Sequence, residues 1–169
     1  LNLAYGALIA VGGYTTYLMV QAGVDPIVSL PVAMAVTAVI GWFIQLIAID
    51  HLLRGPASLS LTLTYGINLA MLGILLLIFS GDVRGIELPA YLRGSVIIGD
   101  AGITYARMVV MVIAVILTIG MWWFMDRTRL GMAIRATRLD TEAAQLVGIR
   151  VKSIYHLTAA LSALMAGAT

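Results

Sequence analysis

Along the chain, charged residues bunch together and leave five apolar runs between them: Leu1–Val24, Pro26–Ile49, Gly55–Gly81, Met108–Met125 and a last one from Ser153 onward. About 20 apolar residues in a helix cross a hydrocarbon core of about 30 Å, and each run reaches or approaches that length. The pattern predicts an all-α protein, a polytopic transmembrane helix bundle of about five hydrophobic segments centred near residues 12, 38, 69, 116 and 161. Asp25-Pro26 separates the first two, with proline placed where a helix can begin without losing a needed donor. In the third run Ser58, Ser60, Thr62 and Thr64 alternate with leucines, a period of two that suits a strand in water. A lone strand in a bilayer leaves its backbone unpaired, so a helix or a protein-buried irregular stretch is required. In the last run Ala159, Ala163 and Gly167 recur every four residues and give one helix a small face for tight packing.

The breaks between runs differ. Asp50 to Arg54, with His51, makes a short interfacial edge before Gly55-Pro56. The stretch Asp82–Arg107 carries three basic and three acidic residues, with Leu88-Pro89 and several glycines. It reads as an irregular external loop in which Ser95–Ile98 forms a brief strand or re-entrant piece. Trp122 and Trp123 stand near the end of the fourth run, at interfacial depth. The most informative break is Asp126–Lys152, DRTRLGMAIRATRLDTEAAQLVGIRVK, where six basic residues face three acidic ones for a net +3. Lys and Arg accumulate in short cytoplasmic loops, so residues 126–152 are expected to be cytoplasmic. Alternation then puts Asp50–Arg54 inside, and Asp25 and Asp82–Arg107 outside. Asp140 or Thr141 can cap a short helix there, Glu142 suits the positive end of its dipole, and Gly148 suits its stop. With Ala143 and Ala144 on one side, this two-turn helix has a flat surface fit for docking another protein.

Composition agrees with the pattern. The chain is 62% hydrophobic and 11% charged, against about 45–50% apolar and about 25% charged in soluble domains. A nucleic-acid reading would want a basic face without such an apolar body. Several function classes lack their residues. There is no cysteine, hence no disulfide, thiolate metal site or cysteine nucleophile. No phosphate-binding loop, dinucleotide fingerprint, His-Glu-x-x-His site or Gly-x-Ser-x-Gly elbow occurs, and no pair of carboxylates lies within a span. The chain is therefore expected to be no enzyme, to have no catalytic or metal site, and to bind no ATP itself. Two classes stay open: a permease driven by a separate ATPase, and a self-contained channel or secondary carrier. A plain anchor fits poorly with spans this rich in Thr, Tyr, Asn and Gly.

Glu142-Ala143-Ala144, three residues, then Gly148 resembles the coupling loop of ABC-importer permeases, and GMAIRATRLDTEAAQLVGI is similar to that loop in permeases for branched-chain amino acids. The opening LNLAYGALIAVGGY resembles a second hallmark of that family, an Asn-x-Ala-x-Gly run at the start of a span. The longer loop motif ends in Ile-x-Leu-Pro, where this chain has Thr158-Ala159-Ala160-Leu161, which matches the branched-chain group better than maltose-type permeases. The likeness covers nearly the whole chain, read as one transmembrane permease domain over 1–169 and a fragment truncated at both ends. It implies a subunit of an ATP-driven importer in the bacterial inner membrane, embedded in lipid, with branched-chain amino acids as substrate and urea or short amides as the alternative. The implied partners are ATP-binding cassette subunits that use the ATP, a second permease subunit and a periplasmic substrate-binding protein; no nucleic acid is implied. The coupling residues would be Asp140, Thr141, Glu142, Ala143, Ala144 and Gly148. The candidate path residues are Asn2, Tyr5, Thr15, Thr16 and Asn68, each of which could instead serve helix packing.

Overall fold

The computed structural model describes residues 4–46, 57–80, 85, 89–92, 94–98 and 101–169. Asn2 and the edge from Asp50 to Arg54, with His51, lie outside the described residues. Among the described residues seven α-helices run in order: α1 Tyr5–Gln21, α2 Pro26–Ile44, α3 Ala57–Phe79, α4 Tyr105–Arg127, α5 Arg129–Leu139, α6 Thr141–Leu146 and α7 Val151–Gly167. Five of them, α1 to α4 and α7, occupy the five apolar runs. Among the described residues three helices are long and apolar enough to cross a membrane: α2, α3 over Leu61–Phe79, and α4. The architecture is an all-α polytopic bundle. The period-two alternation at the start of the third run is taken up as helix, as the bilayer demands.

The chain folds as two units, one of Leu1–Ile86 with Tyr155–Thr169, the other of Glu87–Ile154. In the first, α1 ends on a glycine in the left-handed region. Gly23 has φ +85, its N–H bonds to the Val20 carbonyl, and the Val24 N–H reaches back to Met19. These two bonds close the last turn of the helix. Asp25 then caps α2 by accepting from the Ile27 N–H at 2.9 Å, and Pro26 takes the first helical position. The turn therefore follows from the sequence at every step.

α2 and α7 approach each other closely. Ser29, Ala33, Thr37 and Gly41 are buried on α2, one every four residues. Ala33, Thr37 and Gly41 meet the small face of α7. A Cβ on Gly41 would collide with that of Ala163, and one on Gly167 would lie 2.9 Å from the Ala33 carbonyl oxygen and against Thr37 Oγ1. As numbers fall along α2 they rise along α7, so the two helices are antiparallel. Thr37 keeps its buried hydroxyl satisfied by donating to the Ala33 carbonyl at 2.9 Å and the Met34 carbonyl at 3.0 Å. Without water, that internal bond lets a polar residue sit between spans. Gly12 of α1 approaches Gly167 as well, and Leu8, Ala163 and Ala166 form the buried core with Ile40, Ile44 and Met71 around it.

α3 lies parallel to α1. The Tyr14 and Phe79 rings stack with centroids 4.1 Å apart, and Asn68 meets the start of α1 near Ala7. These directions agree with alternating spans.

In the second unit, Ser95–Ile98 and Ala101–Thr104 form an antiparallel hairpin, β1 and β2, with Ser95 opposite Thr104 and Ile98 opposite Ala101. The brief strand expected at Ser95–Ile98 thus has a partner immediately after it. The hairpin leads straight into α4, and Tyr105 ties back through its N–H to the Gly94 carbonyl at 2.9 Å.

Candidate functional site

The basic loop is two helices, not a loop with one. Thr128 alone separates α4 from α5 and serves both. Its hydroxyl donates to the Phe124 carbonyl at 2.7 Å and accepts from the Gly131 N–H at 3.0 Å. Gly131 rests on the backbone of Met125 with no room for a Cβ, and Arg135 forms an ion pair with Asp126. Sequence reading missed α5. Its signal was present: a capping threonine at 128 and apolar or small residues at 130, 133, 134 and 137, partly hidden by Gly131 and three arginines.

α6 is built as the capping signals require. Asp140 accepts hydrogen bonds from the N–H groups of Glu142 at 2.9 Å and Ala143 at 3.0 Å. Glu142 follows in the first turn, beside the positive end of the short helix. Thr141 donates to the Thr137 carbonyl at 3.2 Å and so holds α6 to the end of α5. At the other end Gly148 has φ +84. Its N–H bonds to the Gln145 carbonyl, and that of Ile149 to Ala144, each at 3.0 Å. This pair of bonds requires the left-handed conformation that glycine adopts at little cost.

The flat alanine side is half used. Ala144 is buried and Ala143 exposed, since neighbouring helical residues point about 100° apart. The outward surface is more apolar than the alanines suggest. Leu139 is 87% exposed, Leu146 88% and Val147 76%. Burying such a side chain is worth about 1.5–3 kcal/mol, so three left open beside one capped helix form a surface suited to a partner. Sequence reading passed over these three. Their mark was large apolar residues in an otherwise polar, charged segment.

The candidate path residues are not gathered into one wall. Tyr5 is exposed on α1, and Thr16 lies eleven residues on, about 16 Å further along the same face. Thr15 points about 80° away and donates to the Val11 carbonyl at 2.8 Å. Asn68 is on α3, half-buried, and its Oδ1 accepts from the Ala7 N–H at 2.8 Å. That N–H belongs to the first turn of α1, where no helical carbonyl is available, so Asn68 caps α1 from a neighbouring helix. Trp42 meets His156 edge-on with centroids 6.4 Å apart, joining the end of α2 to α7.

The family described as branched-chain amino acid transport system / permease component matches residues 1–169. The chain is 26% identical to the high-affinity branched-chain amino acid transport system permease protein BraD of Pseudomonas aeruginosa, over 98% of this chain and 58% of that protein. It is 29% identical to the probable branched-chain amino acid transport permease protein LivH of Methanocaldococcus jannaschii, over 98% and 54%. LivH of Escherichia coli is 24% identical over 98% and 58%. The chain thus spans somewhat over half the length of these curated relatives. No solved structure gives a significant match. With the family match running from the first residue to the last, the chain belongs to the branched-chain amino acid transport permease family.

Proposed function

We propose that the chain is the membrane-spanning part of a permease subunit in an ATP-driven importer for branched-chain amino acids, and that α6 is its docking element for a separate ATPase. One observation carries the docking role: a short helix capped at both ends, with Leu139, Leu146 and Val147 exposed around it. The partner's cleft would take these apolar side chains, and Glu142 could meet a basic residue at its rim. Asp140, Thr141, Ala143, Ala144 and Gly148 set the shape of the element. ATP would be bound by the partner and not by this chain. A binding protein outside the bacterial inner membrane would deliver substrate, and a second permease subunit would complete the path. The substrate class follows from the relatives, which are branched-chain amino acid transport permeases.

Closing of the ATPases would move α6, and through α5 the end of α4. The Thr128 hinge, the Gly131 contact and the Asp126–Arg135 pair make the corner stiff enough to pass on that displacement. Switching of the path needs two bundle arrangements that differ by only a few kcal/mol. The test is Glu142→Lys and Gly148→Val in the full-length permease, with transport, ATPase stimulation and complex assembly measured. Both variants should insert normally and lose coupling. Assembly and transport equal to the parent in both would remove α6 from this role.

A further inference from the structure

The α4–α5 corner carries a second surface, distinct from α6. α4 carries Trp122 and Trp123, 64% and 60% exposed, in its last two turns before Arg127, and Thr128 is the only residue before α5 begins. Gly131, in the first turn of α5, sits against the backbone of Met125, only two residues or about 3 Å along α4 from Trp123. The headgroup layer on each side of a bilayer is about 5–8 Å thick. With the tryptophans at the interface, α5 therefore starts among the headgroups. Gly131, seated on the Met125 backbone, and Arg135, paired with Asp126, hold the first turns of α5 against the end of α4. Outward on α5, Met132 is exposed, and the stripe it marks runs toward Leu139, which itself stands with the α6 surface. Arg129 lies about 60° to one side of that stripe and Arg135 about 60° to the other, with Arg138 beyond it. An apolar stripe between arginines suits a helix lying in the interface plane. Arg127, Arg129 and Arg138 are exposed and have no carboxylate partner among the described residues.

We propose that α5 lies in the interface of the membrane and that Arg127, Arg129 and Arg138 bind the phosphates of anionic phospholipid. The proposal rests on α4 as a membrane span and not on the docking of α6. Arginine suits the task because its planar fork meets phosphate through two hydrogen bonds. Met132 enters the acyl boundary while the arginine stems reach up to the headgroups.

The test uses the full-length permease in nanodiscs of phosphatidylcholine alone, or of phosphatidylcholine with an equal amount of phosphatidylglycerol. A fluorophore on Met132→Cys should be quenched by brominated acyl chains. Native mass spectrometry of the purified protein should show phosphatidylglycerol retained over phosphatidylcholine. Replacing the three arginines by glutamine should weaken that retention by roughly 5-fold per residue. Replacing them by lysine should restore most of it, which separates charge from misfolding. Glu142→Lys should leave lipid retention unchanged, so failure of the ATPase reading would not imitate failure here. Three results would overturn the proposal: no quenching at position 132, displacement of the lipid by inorganic phosphate alone, or loss of ATPase-subunit binding in the glutamine variant with lipid retention intact.

Discussion

Replacing Gly41 by alanine probes the α2–α7 contact. In a helix interior that exchange ordinarily favours alanine by roughly 0.5–1 kcal/mol, because glycine has more backbone freedom to lose. The structure reverses the sign. The added carbon would overlap the Ala163 Cβ and lie 3.3 Å from the Ala159 carbonyl oxygen. Both are short, rigid points of a facing helix, and neither can swing aside. The helices must part until carbon atoms sit near their usual 3.5–4.0 Å, and a gap of about 1 Å forfeits up to roughly half of each dispersion contact it opens. Overpacking of this kind costs about 1–3 kcal/mol. Set against the propensity gain, Gly41→Ala should destabilise by about 1–2 kcal/mol. Ala163→Gly alone should also destabilise, through a lost buried methyl and a glycine in α7. Together the two changes move one methyl across the interface and cancel the propensity terms, so the double variant should return to within about 0.5 kcal/mol of the parent. SDS-induced unfolding of the full-length permease in mixed micelles, followed by helicity, gives all three values. A Gly41→Ala protein as stable as the parent, or a double variant showing the sum of both losses, would refute the interlocked packing.

Asn68→Leu removes the acceptor for the Ala7 N–H and should cost about 1–3 kcal/mol; hydrogen exchange at Ala7 should speed up, and unchanged exchange would place the bond elsewhere. Asp140→Ala should destabilise α6 by about 1 kcal/mol and raise exchange at Glu142 and Ala143, while Asp140→Asn should do so much less. A cysteine at position 138 should react with an impermeant reagent only from the cytoplasmic side; reaction only from outside would invert the topology.

Local rules determined a great deal of this protein. Charge-free runs place the five long helices, because a bilayer leaves a polar backbone no alternative to satisfying itself within one segment. Asp25-Pro26, Asp140 and Gly148 act through neighbours two to three residues away, so caps, stops and the positive φ at 148 are legible without any tertiary contact. The small face of α7 was readable for the same reason, being a spacing of four within one helix. Its partner was not. Ala33, Thr37 and Gly41 become meaningful only when antiparallel packing sets them opposite that face, across more than a hundred residues of chain. Asn68 could have served path or packing; its place beside the open first turn of α1 decided that its oxygen holds Ala7. α5 was hidden because glycine and arginines weaken its helical signal, and it is held by Met125 and Asp126 at the end of another helix. Exposure too belongs to the tertiary structure. Leu139, Leu146 and Val147 are ordinary apolar letters in the sequence, and only the packing of α5 and α6 leaves them without cover.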